Sequence, residues 1–221
     1  MQLKRTICRL GTLLGCLLLL QGCDEPPRPS GNFHHAVQTA NLVQIKRHLY
    51  WGTDPNGPGP GGELPLSIAA RQGDVAIAKE LLKNGADPNR AGPSGRTPLA
   101  VALAHGKVPV AELLLRYGAE NDPQAQLGEL VRSGLLDRDT LELLLKRGAK
   151  LDAAGPEGRT PLALAVGTGS IDITKLLLEQ GAPLAPTSPP EGTGNAAPLP
   201  TADDIDDPLM VQLLRRYGVI E

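Results

Sequence analysis

The chain has 221 residues, room for one or two ordinary domains, and only 2% of them are aromatic, which is low for a globular core. Basic and acidic residues nearly balance, 22 against 24, so the charge excess that a nucleic-acid surface needs is missing. Its 26 Gly and 21 Pro approach the level that marks disorder unless their placement is periodic.

Residues 1–22 read as a signal peptide. Lys4, Arg5 and Arg9 form a positive start, and Leu10 to Leu20 form an apolar run too short to span a bilayer as a stable helix. The run ends in Leu20-Gln21-Gly22-Cys23, which resembles the lipobox of bacterial lipoproteins and implies lipidation at Cys23. Leu13-Leu14-Gly15-Cys16 fits loosely, but the apolar run continues past it. Uncleaved anchoring and plain secretion are the alternatives. Cys8 and Cys16 lie inside the leader, so the mature chain would hold Cys23 alone, with no disulfide, thiolate metal site or catalytic thiol. Asp24 resembles an inner-membrane retention signal of enteric bacteria, a rule that varies and leaves inner and outer membrane both open. Residues 23–31 then form the lipidated Cys and a Pro-rich tether, expected to be extended.

The segment 32–221 is organised by period. Gly52, Gly85, Gly118, Gly148, Gly181 and Gly218 look like helix ends, and Pro65-Leu66, Pro98-Leu99 and Pro161-Leu162 look like helix openers. Both sets step by 33 residues and share one three-residue shortening between the third and fourth units, and the last glycine step, Gly181 to Gly218, is 37. Within Gly85 to Gly118, Thr97 can cap a helix start and Pro98 suits its first turn. Gly106 and Gly118 supply left-handed helix ends. The unit is helix, tight turn, helix, loop.

A 33-residue period with these openers resembles the ankyrin repeat family. The match is carried by Leu64-Pro65-Leu66-Ser67-Ile68-Ala69-Ala70 with Gly85-Ala86-Asp87-Pro88-Asn89, by Thr97-Pro98-Leu99-Ala100 with Gly118-Ala119, and by Thr160-Pro161-Leu162-Ala163 with Gly181-Ala182. The resemblance implies an all-α ankyrin repeat solenoid of about five to six helix-turn-helix units with short hairpin-like fingers. The family's opener His is replaced by Ser67, Ala100 and Ala163, and only His34 falls at that position. Unit four, Leu127 to Gly148, has no such opener, and its turn after Gly134 reads as two residues longer. Unit one ends in Tyr50 and Trp51, and Trp51, the only Trp, is expected to pack over the end of the stack.

Gly57-Pro58-Gly59-Pro60-Gly61-Gly62 formally matches the dinucleotide fingerprint, but no strand leads in and no βαβ frame follows, so it reads as a flexible finger. Fingers Arg90 to Arg96 and Ala153 to Arg159 share Gly-Pro-x-Gly-Arg, a tight-turn pattern. In proteins this chain resembles, finger tips and exposed inner-helix positions bind partners, which implies Glu63, Arg71, Gln72, Ser94, Arg96, His105, Glu157, Arg159 and Thr168 as partner-binding residues. For any one of them the competing reading is a solvated polar face. His34, His35, His48 and His105 have no zinc-site spacing, and no nucleophile elbow or P-loop occurs. No catalytic residue, metal or cofactor is expected. After Gly181 a Pro-rich insertion, about 183–200, precedes Asp203, Asp204, Asp206 and Asp207 and a capping helix at about 208–217.

The function implied is a non-enzymatic protein-binding scaffold in the bacterial cell envelope. It would be a periplasm-facing lipoprotein with a protein partner in the periplasm and no small-molecule substrate. Small exported ankyrin proteins resemble accessory factors for a periplasmic enzyme, including catalases, or immunity proteins against a toxin. The alternatives are an envelope hydrolase using carboxylates of the C-terminal units, and a structural protein binding the cell wall.

Overall fold

The computed structural model describes residues 25–155, 158–183, 205, 207–218 and 220. The signal peptide, Cys23, Asp24, Glu157, most of the Pro-rich insertion, and Asp203, Asp204 and Asp206 lie outside the described residues.

Eleven helices and no strand occur among the described residues. They pair as α1 (Phe33–Gln38) with α2 (Leu42–Tyr50), α3 (Pro65–Gln72) with α4 (Val75–Lys83), and α5 (Pro98–Ala104) with α6 (Val108–Arg116). Next come α7 (Pro123–Ser133) with α8 (Arg138–Lys146) and α9 (Pro161–Gly167) with α10 (Ile171–Glu179), and α11 (Pro208–Arg216) closes the array. Inner helices α1, α3, α5, α7 and α9 each pack on the next in line, and α2, α4, α6 and α8 do the same behind them. The fold is an ankyrin-type stack, each unit burying its apolar stripe against its neighbours.

Local chemistry sets the helix starts. The Oγ1 of Thr97 accepts from the Ala100 N–H at 3.3 Å, Thr160 repeats this at Ala163 at 3.2 Å, and proline follows each cap in the first turn. Asp74, Asp122 and Asp137 cap α4, α7 and α8 in the same way. The register is uniform: Phe33, Leu66, Leu99, Leu127 and Leu162 occupy one equivalent position, and none is more than 5% exposed. Two substitutions mark the pattern's edges. His48 stands where later outer helices bury Leu81, Leu114, Leu144 and Leu177, and Thr140 where others bury Ile77, Val110 and Ile173.

Unit four deviates by redistribution. It has no finger; α7 starts early and runs eleven residues, and four residues, Gly134 to Asp137, join it to α8. The units are also stitched by side-chain amides. The Asn56 amide donates to the Gly85 carbonyl at 2.8 Å, and its oxygen accepts from the Asp87 N–H at 2.8 Å. Asn89 repeats the bridge one unit on, with Gly118 at 3.1 Å and Glu120 at 2.7 Å. Unit four has no Asn there, and Gln124 from the first turn of α7 reaches Lys150 and Ala153 instead.

Two expectations change. The 57–62 stretch is no loose connection: Gly59 donates to the Glu63 carbonyl at 2.9 Å and Gly62 to the Gly59 carbonyl at 2.8 Å. Those bonds recur as Gly92 to Arg96 with Gly95 to Gly92, and as Gly155 to Arg159 with Gly158 to Gly155. All three fingers are therefore one hydrogen-bonded turn. His34, in unit one, fills the opener role expected of it, its Nε2 meeting the Gly57 carbonyl at 2.9 Å under the first finger. The described part of the tether is not free either. Ser30 N–H donates to Gln44 Oε1 at 3.1 Å, and Trp51 Nε1–H donates to the Pro26 carbonyl at 3.2 Å. Trp51 thus works at the N-terminal unit as a dock for the tether and keeps 37% of its surface exposed.

Candidate functional site

Fingers and inner helices present one face, and its chemistry follows from register. The shared finger turn makes Glu63, Arg96 and Arg159 equivalent positions. On the inner helices Arg71, Ala104, Arg132 and Gly167 are likewise equivalent, each two residues before a left-handed Gly. Units two and four carry arginine on the helix, and units three and five carry it on the finger. Where the finger supplies it, the helix position is small: a Cβ on Gly167 would lie 3.5 Å from Arg159 Nη1. Each of units two to five thus contributes one guanidinium, and the stacked helices of successive units lie about 8–10 Å apart at ordinary packing distances.

Two carboxylates tune the row. Glu63 accepts from both terminal nitrogens of Arg71, one at 3.1 Å. These hydrogen bonds outweigh the small desolvation and hold the Glu63 carboxyl below its ordinary range, while Arg71 is raised. Both groups stay ionised at neutral pH. Glu129 stands where units two, three and five carry Ile68, Val101 and Leu164. It receives Arg132 from its own helix at 3.0 Å and Arg96 from the preceding finger at 3.8 Å. All these side chains are about half exposed, so each pair contributes no more than about 1 kcal/mol and can be exchanged for a partner's groups. Arg159 has no ion pair among the described residues.

The other expected residues divide. Ser94 is exposed at a finger tip. His105 is exposed with its Nδ1–H donated to the Val101 carbonyl at 3.0 Å, leaving Nε2 outward. Gln72 is exposed with its amide donating to the Gln38 carbonyl at 2.8 Å, and Thr168 Oγ1 donates to the Ala165 carbonyl at 3.0 Å. Sequence reasoning missed Arg132 and Glu129, because unit four has no opener from which to count; counting back from Gly134 would have found both. Among the described residues no cluster of His, Cys, Asp and Glu could hold a metal ion, and no helix is long and apolar enough to cross a membrane.

Comparison with known proteins decides the family. The model for three ankyrin repeats matches residues 33–125 and that for a single ankyrin repeat matches 157–188, together more than half of the chain. The chain belongs to the ankyrin repeat family. The gap between the two matches is unit four, where the finger and opener are lost. The crystal structure of the human ASB11 ankyrin repeat domain is similar at 27% identity and a TM-score of 0.60, over 86% of this chain and 84% of that one. No curated protein matches the sequence. Ankyrin repeats are in general non-enzymatic protein-binding scaffolds, and 462 solved chains match, so the fold alone selects no partner.

Proposed function

We propose that this ankyrin array is a non-enzymatic protein-binding scaffold held in a bacterial envelope by a lipid on Cys23, facing the periplasm. Its partner would be a periplasmic enzyme that it assists or a toxin that it blocks. The observation that carries the protein-binding part is the row of Arg71, Arg96, Arg132 and Arg159, one guanidinium per unit. A face of this kind suits carboxylates, because guanidinium binds them through paired, charge-assisted hydrogen bonds. An extended segment rises about 3.3 Å per residue, so acids at roughly every third position would match the spacing of the stacked units. The envelope part rests on the Leu20-Gln21-Gly22-Cys23 sequence after a basic and apolar leader.

Pull-down from detergent-solubilised membranes, followed by mass spectrometry, tests the proposal. The wild-type chain is expected to retain a partner that Arg96→Glu/Arg159→Glu loses, with the helical spectrum of both unchanged. A chain that retains cell-wall fragments and no protein refutes the scaffold. Cys23→Ser tests the anchor: an unchanged membrane fraction and no acyl mass on the wild type refute lipidation.

A further inference from the structure

The described tether is short and fixed. Trp51 donates its indole N–H to the Pro26 carbonyl, the Arg28 guanidinium lies 5.3 Å from the Trp51 ring centroid, and Ser30 is bonded to Gln44. Cys23 is three residues before Pro26, and an extended chain covers about 3.3–3.6 Å per residue. Trp51 therefore lies within roughly 10–15 Å of the Cys23 Cα, once the indole's own reach is added to those three residues. The headgroup layer on each side of a bilayer is itself about 5–8 Å deep. A diacylated Cys23 sits at that layer, so the docked tether holds unit one in it or within several ångströms of it.

The surface brought down suits that position. On α2, Val43 is 61% and Tyr50 43% exposed, at i and i+7, with Lys46 exposed and Arg47 half-buried between them. Tyr50 and Trp51 meet edge to face at 5.8 Å. Aromatic rings with a polar tip favour the membrane–water boundary, and Arg28, Lys46 and Arg47 add attraction to lipid phosphates. Among the described residues, Glu25 and Asp54 are the exposed acids of this region. The opposite end has a comparable surface, with Leu209 60% and Tyr217 40% exposed beside Arg215 and Arg216, but it lies several units away from the tether.

We infer that unit one, through Val43, Lys46, Arg47, Tyr50 and Trp51, rests on the lipid headgroups, and that the docked tether makes it the membrane-contacting end of the array. The inference rests on lipidation at Cys23. The acyl chains do the anchoring; the α2 surface fixes which end faces the bilayer.

The single Trp makes the test direct. Full-length protein extracted from bacterial membranes is checked for its acyl mass. It is then placed in phosphatidylethanolamine–phosphatidylglycerol vesicles with and without a headgroup spin-labelled lipid. Trp51 emission is expected to fall about twofold in the labelled vesicles, as for a ring at the interface. A thiol-reactive fluorophore on Tyr217→Cys, in a chain that keeps Trp51 and its docked tether, is expected to show no such fall. Equal emission from Trp51 with and without label, on protein carrying the acyl mass, overturns the inference and leaves the lipoprotein reading standing. Equal quenching of both reporters overturns it too, since the array would then lie along the membrane. Protein without the acyl mass removes the lipoprotein reading and the inference together.

Discussion

Replacing Asn89 with Ala removes two hydrogen bonds that join the loop before unit three to the loop after it, the amide to the Gly118 carbonyl at 3.1 Å and the Glu120 N–H to the amide oxygen at 2.7 Å. Each such bond contributes about 1 kcal/mol net. Asn89 is half-buried and Glu120 exposed, so water replaces part of what is lost and no full desolvation penalty remains. The expected cost is about 1–2 kcal/mol, localised at one joint of a stack whose units contact only their neighbours. In urea, with a slope of about 2–3 kcal/mol per molar, the midpoint falls by roughly half a molar. Arg90→Ala, one residue on and exposed without a side-chain partner among the described residues, is the control and is expected to leave it unchanged. Asn89→Asp keeps the acceptor but turns a carboxylate toward the Gly118 carbonyl, and is expected to cost as much as Ala. Amide exchange supplies the local readout, with Glu120 losing protection before its neighbours. A midpoint shift no larger than that of Arg90→Ala, or an unaltered Glu120 amide, refutes the bridge as a stabilising element.

Further outcomes follow from single positions. Thr140 is fully buried with its Oγ1 unbonded, at the site where other units carry Ile77, Val110 and Ile173; Thr140→Val is expected to stabilise by about 1 kcal/mol, read as a rise in Tm. Leu162→Ala opens the core at a position with no exposed surface and is expected to cost about 2–5 kcal/mol, measured by urea unfolding. His48 has its pKa lowered by burial, so below about pH 6.5 the unfolded chain binds more protons than the folded one and stability falls as pH drops. His48→Leu is expected to flatten that loss, so that its advantage over wild type grows from pH 8 to pH 5; parallel stability–pH curves would contradict this.

The stack was legible in the sequence because its signals are local. Thr97-Pro98-Leu99 specifies a cap, a first turn and a buried position without help from elsewhere, and the same grammar recurs at Thr160. What stayed illegible depends on distant partners. Residues 26–30 read as a spacer because proline-rich chain looks the same free or docked, and only the approach of Gln44 and Trp51 distinguishes the two. The 57–62 stretch read as loose because Gly57-Pro58 and the extra Gly61 crowd it, yet Gly59-Pro60-Gly61-Gly62 is the same Gly-Pro-x-Gly turn as the other fingers, with Glu63 in place of their Arg. Asp54-Pro55-Asn56 and Asp87-Pro88-Asn89 did recur at the period of the units, and that repetition was the available sign of the amide bridges. At the candidate site, Arg71, Arg96 and Arg159 were found from register, and Arg132 was hidden by the missing opener of unit four.

Because the cationic group alternates between helix and finger, this array has a parity that solenoids in general lack. Excising unit three alone would set Arg71 beside Arg132, two helix-borne groups in succession, and would strip Glu129 of its contact with Arg96. Excising units three and four together would bring Arg71 next to Arg159 and keep the phase. Shortening by pairs is thus the trimming that this surface tolerates, even though the backbone would accept the loss of any one member.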